Sequence, residues 1–109
     1  MMYYNFPYNP TELWVMGFEK KTRKTKFLFY AKIGSIKLNN GNDAWNPTDF
    51  KRAVKQKCRS IKDETETQYT FEFNDHYQMN RYIKTDRYKN VINFPLEHYN
   101  STLNRSSLK

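Results

Sequence analysis

Lys51, Lys55, Arg59 and Lys62 follow one another at spacings of four, four and three, with Arg52 beside them. On a helix that spacing puts the cations on one side. Such a row can lie along a phosphate backbone and release the counterions condensed on it. A merely solvated helix face usually mixes Glu with Lys four residues apart, and here no acid follows Asp49 before Asp63. A second basic cluster, Lys20-Lys21-Thr22-Arg23-Lys24-Thr25-Lys26, reads as a turn or hairpin tip. Its like charges repel one another in the free protein, a polyanion would relieve that, and a β-ribbon can enter a nucleic-acid groove. The plainer reading is a solvated loop, or lysines guarding an edge strand. The two clusters reinforce each other only where they share a face of the fold.

The charge is placed unevenly. Net charge is +8; residues up to Lys62 hold thirteen Lys and Arg against four acids, and the rest hold six against seven. A localised excess suggests a face rather than solubility alone.

Rings beside these cations could stack unpaired bases, and Trp14, Tyr30 and Trp45 are the candidates nearest the basic segments. Only 38% of residues are hydrophobic while 17% are aromatic, so most rings must build the core. Tyr3, Tyr4, Phe6 and Tyr8 form a second aromatic set near the start of the chain, suited to anchor a protein partner.

Enzymatic signatures are sparse. His76 and His98 are distant in sequence and have no Cys or carboxylate at ligand spacing, which argues against a metal site. The single cysteine, Cys58, falls on the apolar side of the basic helix and reads as a core residue. Gly17, Gly34 and Gly41 are isolated, so no phosphate-binding loop is present, and no cofactor is expected. The leading expectation is a non-enzymatic nucleic-acid-binding domain that contacts backbone through Lys20, Lys21, Arg23, Lys24, Lys26, Lys51, Arg52, Lys55, Arg59 and Lys62. The alternative is an accessory protein of a phage or other mobile element that binds and inhibits a host nucleic-acid-handling protein. A third reading is a small metal-free ribonuclease built on His76 and His98. The frequent Asn, Lys, Tyr and Phe fit translation from an AT-rich genome of a bacterium, plasmid or phage. One cysteine precludes an internal disulfide, and no apolar run approaches the roughly 20 residues that span a bilayer. With no leader pattern at residues 1–8, a cytoplasmic protein without membrane contact is expected.

The elements that must position these residues can be read in outline. At 109 residues the chain has room for one core. Residues 1–10 read as an aromatic arm, 11–99 as the domain and 100–109 as a disordered tail. Residues 13–18 are β-favouring, and residues 26–38 alternate around a Gly34 suited to a bulge or bend, so the two form a hairpin. Residues 39–43 are all turn formers. Asn46 and Pro47 then open a helix over residues 47–61, with Phe50, Ala53, Val54, Cys58 and Ile61 as its apolar stripe. After an acidic connector, Tyr69, Phe71 and Phe73 mark a half-buried strand. Asn74 or Asp75 caps a second helix reaching to about Arg87, with Met79, Tyr82, Ile83 and His76 turned inward. Residues 91–96 suit a short edge strand limited by Pro95. The order predicts a small α+β domain with a mostly antiparallel sheet.

Overall fold

The structure is a computed structural model and describes residues 6–91. Three strands form an antiparallel sheet in the order β2-β1-β3: β1 is Glu12–Glu19, β2 is Lys24–Lys32 and β3 is Tyr69–Asn74. β1 lies in the middle, and its pleat sends alternate side chains to opposite faces. Leu13 and Val15 point one way, toward helix α1 (Pro47–Thr65); Trp14 and Met16 point the other, toward helix α2 (His76–Tyr82). This double burial explains why β1 reads as an uninterrupted apolar run rather than an alternating one. The fold is α+β, with a helix on each face of the sheet.

The two layers are unequal. Phe50, Ala53, Val54 and Cys58 of α1 bury against Leu13, Val15, Phe29, Ala31 and Phe73, with Ala44 completing ten buried residues. On the other face the described residues bury a hydrophobic cluster of five: Trp14, Met16, Met79, Tyr82 and Val91.

Local chemistry sets the element ends. The Asp49 amide donates to Asn46 Oδ1 (2.8 Å), Pro47 occupies the first turn, and Asp49 faces the positive end of the helix dipole. The helix runs four residues beyond the expected Ile61, through the acidic connector, because nothing there breaks it. It ends where Glu66 turns left-handed (φ 54°) and donates its amide to the Lys62 carbonyl. The second helix is shorter than expected. Asp75 and Gln78 cap it reciprocally. After Tyr82 the chain turns, and residues Asp86–Asn90 form a separate 3₁₀ segment rather than more α-helix. Thr85 Oγ1 donates to the Tyr82 carbonyl (2.7 Å) at this break.

β2 also departs from expectation. Its irregularity falls opposite Val15 and Met16, where Leu28 is the extra residue, and not at Gly34. The strand ends at Lys32. Gly34 takes φ 84° and donates its amide to the Ala44 carbonyl (2.6 Å), so residues 33–44 fold back as a compact loop rather than extending the strand. Apart from buried Val91, the expected strand at 91–96 lies outside the described residues, as do the tail and residues 1–5 of the arm.

Candidate functional site

Helix α1 presents Lys51, Lys55, Arg59 and Lys62 along one flank, beside the buried stripe of Phe50, Val54 and Cys58. Lys55 and Arg59 are exposed, while Lys51 and Lys62 are half-buried. The Lys55 Nζ sits 5.8 Å from the centroid of Phe6, whose ring packs on Phe73 at 4.5 Å. Arg52 pairs with Asp49 (3.3 Å), so its charge is partly neutralised. Lys57 departs from the row altogether and covers the Phe29 ring at 4.9 Å.

Several carboxylates of the domain have partners of their own. Asp43 pairs with Lys37 (2.8 Å), Asp49 and Asp75 serve the helix starts, and Glu72 pairs with Arg87. Glu12 accepts from the Tyr30 hydroxyl and lies 3.0 Å from His76 Nδ1. Asp63 and Glu64 bound the end of the row, lining with Arg59, Ser60, Gln56 and Asn39 a hollow of about 310 Å³. Among the described residues no ion pair joins either acid to Arg59.

The basic heptad does not act as one tip. Only residues 20–23 form the turn, and Lys24 and Lys26 already belong to β2. Lys20, Lys21, Arg23, Lys24 and Lys26 are all exposed. Lys26 lies over the Tyr69 ring (5.9 Å) on the α1 side of the sheet, and Lys21 borders Glu19 and Glu66. Arg23 and Lys24 instead join Phe18, Thr22, Thr25, Arg87 and Lys89 in a groove of about 500 Å³. Thr25 accepts a hydrogen bond from Arg87 Nη2 (3.1 Å), which places the groove on the α2 side. The condition set by the sequence, that helix and tip share one face, is therefore not met as a whole: the sheet separates the α1 row from the Arg23 and Lys24 groove. Arg87 and Lys89 were missed because they sit in the half of the sequence without excess charge.

The aromatic candidates divide as well. Trp14 is wholly buried, with His76 edge-on to its ring at 6.0 Å and Tyr30 tilted against it at 5.0 Å, so it cannot stack a base. Tyr30 is tied to Glu12 and belongs to the same packing. Trp45 is 71% exposed, with its six-membered ring set against Gly34, where a Cβ would fall 2.4 Å from the ring. Tyr8 is 93% exposed; Tyr3 and Tyr4 lie outside the described residues.

His76 gains a carboxylate partner from 64 residues earlier, Glu12, which no local spacing could reveal. His98 lies outside the described residues. Cys58 is fully buried, and desolvation pushes its thiol up to about 12. Among the described residues no group of three His, Cys, Asp or Glu could hold a metal ion, and no helix is long and apolar enough to cross a membrane. Comparison of the chain with protein-family models, curated proteins and solved structures finds no match.

Proposed function

We propose that the domain is a non-enzymatic, cytoplasmic binder of nucleic-acid backbone that docks through α1. The observation that carries this reading is the row of cations along α1, with no acid between Asp49 and Asp63. A row of this kind gains free energy on meeting a polyanion because condensed counterions are released. The test is fluorescence anisotropy with labelled duplex DNA, single-stranded DNA and RNA, titrated across salt. About four backbone contacts give log K falling against log salt with a slope of roughly −3 to −4. Lys55→Glu combined with Arg59→Glu should abolish most of that affinity, with a far-UV spectrum like that of the unaltered protein. Unchanged binding by the double variant would remove α1 from the interface.

A second reading, capture of a host protein, is favoured by one observation: Tyr8, Trp45 and Tyr77 are all large and mostly exposed. Such rings are typical interface anchors. It requires that Trp45→Ala abolish partner binding while leaving salt-dependent binding to nucleic acid intact.

A further inference from the structure

The groove between the β1–β2 turn and the 3₁₀ segment has the features of a ligand site. Its volume of about 500 Å³ falls within the roughly 300–1,000 Å³ typical of small-ligand pockets. Among the described residues four cations line it, Arg23, Lys24, Arg87 and Lys89, and no carboxylate does. Two acids pair with these cations, Glu72 with Arg87 and the fully exposed Asp86 with Lys89 at 4.0 Å, leaving an excess of two positive charges. The lining is not a loose surface patch. Thr25, 4% exposed, and Glu72 together fix the Arg87 guanidinium, so one charge-assisted donor is held in place before any ligand arrives. Phe18 adds the half-buried apolar ring among these polar groups.

The turn is also held in an uncommon conformation. Arg23 has φ 60°, in the left-handed region usually left to Gly, and its amide donates to the Glu19 carbonyl (2.7 Å). A Gly here would suit the backbone better and would remove one of the four cations.

We propose that this groove binds the phosphate of an unpaired nucleotide, free or within a single strand. The phosphate meets the four cations and the nucleoside lies against Phe18. Fixed Arg and Lys donors suit phosphate oxygens, and an aromatic wall gives the base or sugar an apolar contact that inorganic phosphate cannot use. The site stands independently of the reading above, because α1 does not border it.

The experiment is amide NMR titration of the full chain with adenosine 5′-monophosphate, inorganic phosphate, a single-stranded oligonucleotide and the matching duplex. Shifts centred on residues 22–25 and 87–89, produced by the mononucleotide and the single strand more strongly than by inorganic phosphate or duplex, support the site. Comparable shifts from free nucleotide and strand at matched nucleotide concentration identify a single-nucleotide site; a clear advantage for the strand identifies strand binding. Lys24→Ala with Lys89→Ala, both at exposed positions, should raise the nucleotide Kd about tenfold or more. Arg23→Gly, which eases the backbone, should weaken binding without loss of fold. Shifts absent from these residues, an unchanged Kd in both variants, or equal response to inorganic phosphate would overturn the proposal. Lys55→Glu with Arg59→Glu should leave the mononucleotide Kd in place, so failure of the groove and failure of the α1 row are read separately.

Discussion

The two faces of the sheet carry different amounts of core and different kinds of basic surface. On one face a 19-residue helix buries ten residues and bears its cations along a single rigid element. On the other a seven-residue helix and a 3₁₀ segment share five buried residues, and the cations converge from both ends of the described chain. The contrast separates two ways of building an anion-binding surface. One is periodic and local. The other exists only after the tertiary fold has brought residues 23–24 and 87–89 together.

The sharpest way to break the comparison is to weaken each layer in turn. Phe50→Ala, at a fully buried site in the larger core, should cost about 3–5 kcal/mol, enough to unfold a marginal domain. Met79→Ala, equally buried in the smaller core, should cost about 2–5 kcal/mol, toward the lower end if the short α2 can settle into the space. Urea denaturation gives both values. Native-state hydrogen exchange then tests the asymmetry itself: amides of α2 and the 3₁₀ segment should open at lower free energy than those of α1. Equal protection on both faces would mean that the layers unfold as one unit.

Alkaline pH probes the same contrast more gently, because among the described residues each core cluster has one buried titratable side chain, Cys58 or Tyr82. Burial raises Cys58 from 9.0 to about 12 in the α1 layer. Burial likewise raises Tyr82 from 10.0 to about 12 in the α2 layer, with Arg87 opposing the shift and Glu72 adding to it. Both groups lose their protons more easily in the unfolded chain. Their contribution to stability is therefore complete below pH 9 and declines as pH rises toward about 12. Cys58→Ala should flatten the part of that decline beginning near pH 9, and Tyr82→Phe the part beginning near pH 10. Tyr82→Phe also removes a buried hydroxyl that has no hydrogen-bond partner among the described residues, so near neutral pH its effect should be small or stabilising. Denaturation midpoints across this pH range separate the two layers.

What the sequence disclosed follows the same division. Helix α1 was legible because its cap, its apolar spacing and its cations are all local, as the bond from the Asp49 amide to Asn46 illustrates. β1 was legible from composition alone, although burial of both its faces was not. Errors arose where nonlocal packing decides the outcome. Gly34 makes the bend rather than the bulge that its position allowed, closing a loop onto Ala44 that ends the strand at Lys32, and Trp14 proved to be core because α2 covers it. The groove was illegible for the same reason: Arg87 lies in a stretch with no net basic character and acquires its role through Thr25 and Glu72.

The smallest expected effects offer the finest comparison, because two left-handed residues stand on the two surfaces. Glu66 (φ 54°) ends α1, and Arg23 (φ 60°) shapes the turn at the groove. Replacing either by Gly relieves a conformation that disfavours a Cβ by about 1–2 kcal/mol, offset in part by the greater freedom of Gly in the unfolded chain. Glu66→Gly and Arg23→Gly should therefore each stabilise the domain by about 1 kcal/mol or less, seen as a small rise in the urea midpoint. Their effects on binding should diverge. Glu66→Gly removes a carboxylate that borders Lys21 and leaves the groove lining intact, so mononucleotide affinity should hold. Arg23→Gly should gain the same stability and lose affinity. That pairing would mean that the turn keeps an arginine in a glycine conformation for its charge. If both variants bind nucleotide like the unaltered protein, Arg23 is only a turn residue and its left-handed backbone carries no role in binding.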